Sequence, residues 1–387
     1  MTSRQVPITG TVLAWARDEA GLTVADLAAA TGVEATTVAA WESGDALPSS
    51  GQFTQLVGTL RRPSALFFLS APPLLSGLPT SLRSAPGLAG HALSQDEVRQ
   101  IRWARRIQQM ASWVLREEER SPVLLPRSSL ARDSEQAAAE VRRFLDVNLA
   151  RQLAWRDASE ALRAWRTAVE SRSVLVFQLQ LGKSGIRGFS AWDDRAPIVA
   201  VNTAYHVTAR IFTLFHELGH MVTRTDAACL RFVVPNDSQP EVERWCERFA
   251  AELLLPADTV REVAARMGVT DATPTDDIET ARRIANRFKV STRATSLRLQ
   301  ELRLAPQRFY EALEVRLSQY DWSSSGGGGG GQPRVEKRLG QLGYRAPEIL
   351  IAAKESGRIT QADLCDYLNL TTGQVDDLRI IVPTAAG

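Results

Sequence analysis

The sequence predicts a mainly α protein with a small β-sheet, built as an N-terminal helical bundle, a larger α+β core and a small C-terminal helical module. Three observations carry this. Apolar residues recur at helical spacing through most of the chain. Short β-type runs are confined to Ser173–Gln178, Gly188–Trp192 and Pro197–Val201. Two breaker-rich stretches, one within residues 73–94 and one at 321–333 with six consecutive glycines, divide the rest. The expected organisation is therefore 1–72, a linker over 73–94, 95–320, a flexible linker over 321–333, and 334–387.

Residues 12–60 contain short helices with recognisable ends. Val12–Ala20 is amphipathic, Thr23 caps a helix running to Thr31, Gly32 allows a tight turn, and Glu34–Glu42 forms the next helix before Gly44. Two short helices joined by a glycine-containing turn are the helix-turn-helix signature. The run Leu22-Thr-x-x-x-Leu27-Ala28-x-x-x-Gly32-Val33 continues to Thr37-Val38-x-x-Trp41-Glu42-x-Gly44 and resembles the repressor-like XRE family. That resemblance implies duplex DNA as a partner, with Glu34, Thr36 and Thr37 at the start of the recognition helix nearest the bases. Electrostatics oppose it. Residues 1–72 hold Arg4, Arg17, Arg61 and Arg62 against Asp18, Glu19, Asp26, Glu34, Glu42 and Asp45. Phosphate neutralisation supplies most non-specific DNA affinity, and Val24 stands where the family usually has Gln. A module that docks protein or forms a homodimer is the competing reading.

Helices are expected over 95–120, 133–150 and 156–171. The first carries Arg99, Arg102, Arg105 and Arg106 at helical spacing, the best basic stripe in a chain whose Lys and Arg exceed its Asp and Glu by only 46 − 44 = 2.

The helical run Ala209–Val222 contains His216-Glu217-Leu218-Gly219-His220, which holds two of the four histidines in the chain. Residues four apart share a helix face, so His216 and His220 can ligate one metal ion while Glu217 reaches a water beside it. Catalytic zinc takes three protein ligands, commonly two His and one Glu. The next helix, from Glu241 to Leu255 and closed by Pro256, offers Glu243 and Glu247 one turn apart on a shared face. Cys246 lies beside them, but a small buried thiol more commonly packs than ligates.

Arg210-Ile-Phe-Thr-Leu-Phe-His-Glu-Leu-Gly-His220, followed by Glu243-x-x-Cys-x-x-Phe-Ala-Ala-x-Leu-Leu-x-Pro256 and preceded by the strand Pro197–Asn202, resembles the ImmA/IrrE-type metallopeptidases. The resemblance spans about residues 170–310 and implies a zincin-like α+β core. It implies Zn2+ held by His216, His220 and Glu243, with Glu217 as general base. Glu247 departs from the family, which usually has Asn there. The implied function is that of a zinc-dependent endopeptidase cutting a helix-turn-helix transcriptional repressor, which triggers a stress or mobile-element response. The alternative is a DNA-binding transcriptional regulator whose peptidase-like domain is a sensor. Tyr205 and His206 precede the helix as oxyanion candidates, or as helix-entry packing.

Beyond Pro256, Ile284–Leu299 reads as the closing helix pair of that core. Ile359–Leu370 looks like half of another helix-turn-helix, in a C-terminal module with seven basic and seven acidic residues. Three widely spaced cysteines do not read as a disulfide framework, and no apolar run approaches the roughly 20 residues that span a bilayer. A cytoplasmic protein without a membrane partner is expected.

Overall fold

The computed structural model describes residues 5–20, 22–60, 64–72, 94–182, 186–224, 240–318 and 333–382. Most of both breaker-rich linkers, and Cys229, lie outside these residues. The chain divides into two compact units, Met1–Arg102 and Trp103–Gly387.

The first unit holds α1 (Gly10–Glu19), α2 (Val24–Thr31), α3 (Ala35–Ser43) and α4 (Ser50–Leu60), followed by a 3-10 turn at Ser64–Phe68. The expected boundaries hold for physical reasons. The Thr23 hydroxyl accepts the Asp26 N–H at 3.1 Å, while the Asp26 carboxylate accepts the Thr23 N–H at 2.9 Å, closing a capping box. Gly32 ends α2 in the left-handed conformation at φ 67°, which turns the chain sharply into α3. Leu13, Leu27, Val38, Trp41, Leu56 and Phe67 meet in the core.

The unit boundary falls within α5 (Gln95–Glu117). Its arginines are not a free basic face. Arg99 pairs with Asp96, and Arg102 donates to the Asp18 carbonyl at 2.8 Å. Arg105 bonds Gln108, and Arg106 meets Asp366 at 2.5 Å beneath the Tyr367 ring.

In the second unit follow α6 (Ser134–Phe144), α7 (Leu149–Ala154), α8 (Ala158–Glu170), β1 (Leu175–Leu179), β2 (Gly188–Ala191), β3 (Ile198–Asn202), α9 (Val207–Thr223) and α10 (Pro240–Leu254). The helix expected over 133–150 is broken. Asp146 takes a positive φ of 54°, and Asn148 starts α7 by accepting the Arg151 N–H at 2.8 Å. The sheet order is β1-β3-β2, with β1 parallel and β2 antiparallel to β3. Trp165 of α8 meets Phe215 of α9 edge-on at 4.7 Å, pinning α9 into the core.

Then come α11 (Ala257–Ala265), α12 (Ile278–Phe288), α13 (Thr292–Glu301), α14 (Phe309–Ser318), α15 (Arg334–Leu342), α16 (Arg345–Glu355), α17 (Gln361–Leu368) and α18 (Thr372–Ile381). The helices beyond the glycine run are docked rather than isolated. The buried Arg166 guanidinium donates to the Gly340 carbonyl at 2.7 Å and the Gln341 carbonyl at 3.2 Å, at the C-terminal end of α15. The pair α17–α18 also repeats α2–α3. Thr360 and Asp363 close the same capping box, and Asn369 supplies the left-handed cap at φ 50°. The run Thr-x-Ala-Asp-Leu occurs at Thr23–Leu27 and again at Thr360–Leu364.

Candidate metal centre

Helix α9 buries Ile211, Leu214, Phe215, Leu218 and Met221 on its inner side. That packing aims the neighbouring stripe, with His216 and His220, at α10. The two helices can approach because Gly219 has no side chain. A Cβ there would lie 3.1 Å from Phe249 Cδ1 and 3.2 Å from Cys246 Sγ. Val242, Trp245, Cys246 and Phe249 are buried along α10, which carries Glu243 to the histidine pair.

Three side chains able to ligate a metal converge at this point. His216 Nε2 and His220 Nε2 are 3.2 Å apart, and the Glu243 carboxylate lies 3.3 Å from the former and 3.5 Å from the latter. Ligands at about 2.0–2.1 Å around a tetrahedral zinc stand about 3.3–3.4 Å from one another. The triangle therefore has the edge lengths that such a cation requires, and two neutral imidazoles do not place lone pairs together without a proton or a cation between them. Among the described residues, this is the metal-capable group of His, Cys, Asp and Glu side chains. Cys246 and the exposed Glu247 are not members of it.

The electrostatics fit the same picture. Burial is the largest influence on Glu243 and pushes its pKa up, but hydrogen bonds and charge from His216 and His220 outweigh it and hold the carboxyl at about 2. Burial pulls His220 down most strongly, yet the hydrogen bond to Glu243 and the charges of Glu217 and Glu243 leave its pKa raised. Burial, with the surrounding carboxylates, drives the Cys246 thiol up, so it remains protonated.

Residues 169–300 match a peptidase family model described as the IrrE N-terminal-like domain, and residues 9–66 match a helix-turn-helix domain model. The chain joins an IrrE N-terminal-like domain to an N-terminal helix-turn-helix domain. No curated protein matches it.

Within the IrrE N-terminal-like domain, Glu217 is 3% exposed and accepts a hydrogen bond from the Ser190 hydroxyl at 2.9 Å. Sequence reasoning missed Ser190. The available signal was the period of two in β2, which puts Gly188 and Ser190 on one face. Tyr205 and His206 do not join the cluster. His206 caps α9 by accepting the Thr208 N–H, and Tyr205 packs under Arg187. In the helix-turn-helix domain, Glu34 and Thr36 are exposed at the start of α3, and Thr37 is half-buried. Arg17 is the single basic residue among the described residues of 5–72, and it is engaged internally. Its guanidinium donates to both Glu42 oxygens at 2.5 and 2.9 Å, to Asp18 at 2.7 Å and to the Leu22 carbonyl at 2.9 Å.

Proposed function

We propose that this chain is a zinc-dependent endopeptidase of the cytoplasm, with a helix-turn-helix transcriptional repressor as its substrate and release of a stress or mobile-element response as its outcome. The convergence of His216, His220 and Glu243 at tetrahedral edge lengths is the observation that carries this reading. These residues would hold the cation. When bound, it supplies Lewis-acid chemistry, polarising a carbonyl and acidifying a water. Glu217 lies between the two histidines on the same helix, and one of its oxygens is taken by Ser190. Its other oxygen is free to accept a proton from the attacking water and return it to the leaving amine.

The N-terminal domain then serves recognition of the protein substrate more than of DNA, because residues 1–72 set four arginines against six carboxylates, a poor balance for binding phosphate. Among the described residues no helix is long and apolar enough to cross a membrane, in keeping with a substrate that acts on DNA.

Metal analysis of the full chain is expected to give about one zinc per molecule. Glu217→Gln is expected to keep that zinc and to lose cleavage of helix-turn-helix repressors by on the order of 10²–10⁴-fold. Cleavage by Glu217→Gln at the wild-type rate would sink the peptidase reading. Zinc binding without any cleavage by the wild-type chain would favour the alternative, a transcriptional regulator with a sensing domain.

A further inference from the structure

We infer that Ser190 is a positioning residue for the general base. It selects which oxygen of Glu217 is presented to the reacting water. The inference rests on the peptidase reading above and adds a residue outside the His-Glu-x-x-His run and its partner helix.

The geometry is built from two strand residues. Gly188 and Ser190 lie on one face of β2, turned towards α9. At Gly188 the strand comes so close that an added Cβ would lie 2.6 Å from Thr213 Cγ2 and 3.5 Å from Glu217 Cγ. The same close approach brings the Ser190 hydroxyl to Glu217 Oε2 at 2.9 Å. Both partners are buried, Ser190 at 7% and Glu217 at 3% exposure.

A free glutamate side chain turns about three torsions, and its terminal carboxylate rotates broadly. One donor on Oε2 removes that rotation. Oε1 is then left as the proton acceptor, without competition from the bonded oxygen. Serine suits this task because its one O–H donates while it carries no charge into a site that already holds Glu217 and Glu243. Any side chain at position 188 would push β2 outwards and lengthen the bond, so Gly188 is the spacer that sets the distance.

The test uses the full chain loaded with zinc and an internally quenched peptide that the wild type cleaves. For Ser190→Ala the zinc content stays at the wild-type value and kcat falls on the order of ten- to a hundredfold at unchanged KM. Ser190→Thr, which keeps the hydroxyl, restores most of kcat. In crystals, the Glu217 carboxylate adopts one orientation in the wild type and in Ser190→Thr, and more than one in Ser190→Ala. Wild-type kcat in Ser190→Ala, or a single unchanged Glu217 orientation in it, overturns the inference and leaves the peptidase reading intact. Wild-type cleavage by Glu217→Gln overturns both.

Discussion

Two buried polar clusters in this chain invite comparison. Around Arg17, four hydrogen bonds run from one guanidinium to Glu42, Asp18 and a carbonyl, so donors and acceptors match within the cluster. Around His216, His220 and Glu243, two imidazoles and a carboxylate face one another at 3.2–3.5 Å, at the corners of one triangle. The first cluster is complete and holds α1 to α3. The second has the spacing that suits a bound cation. A buried polar group marks a ligand site when its neighbours fail to complete it, and marks architecture when they succeed.

The largest effect that could break this contrast lies in the open cluster. Glu243→Ala is expected to weaken zinc binding by more than about a hundredfold, because it removes a ligand. Glu247→Ala should bind zinc as the wild type does, since Glu247 is exposed and outside the triangle. Metal titration showing the reverse order would move the third ligand to Glu247.

Next in size is the closed cluster. Arg17→Ala leaves the Glu42 carboxylate half-buried without its partner. The cost should fall between the roughly 3–5 kcal/mol of breaking a fully buried pair and the 0–1 kcal/mol of an exposed one. About 2–3 kcal/mol of local stability is expected to be lost across α1–α4, with zinc content unchanged. Hydrogen exchange resolved by segment reads both halves of that statement. Chelation should act in the opposite sense, speeding exchange in α9 and α10 while leaving α1–α4 as they were.

The smallest effect concerns DNA. With four arginines against six carboxylates, residues 1–72 should bind duplex DNA weakly, with a log–log salt slope that reflects only a few phosphates at about −0.9 each. Nanomolar affinity for a defined operator at about 150 mM salt would show that the recognition face including Glu34, Thr36 and Thr37 reads DNA after all.

Much of this was legible from local rules. Thr23 caps the start of α2, Gly32 and Gly44 take the left-handed caps that close α2 and α3, Pro256 follows the end of α10, and the spacing of His216 and His220 needs only a helix to become a site. The triangle with Glu243 depends on how α9 and α10 pack, which the motif resemblance anticipated and composition did not. Other features stayed hidden because they are long-range. Arg106 reads as part of a basic stripe until Asp366 arrives from 260 residues away. Ser190 is one serine among many until β2 packs on α9. The break in the helix expected over 133–150 lies in an ordinary-looking Asp146-Val-Asn148 sequence whose capping outweighs the continuing apolar period.

The Arg166 contacts have a consequence for how the chain holds together. One buried guanidinium grips the last carbonyls of α15, Glu170 accepts from the Tyr344 N–H, and Trp103 donates to the Tyr367 carbonyl. All three reach across the six-glycine run without using its covalent bonds. A cut between residues 318 and 333 would therefore give two bands on a denaturing gel and one peak on a sizing column, and the two pieces expressed separately should find each other.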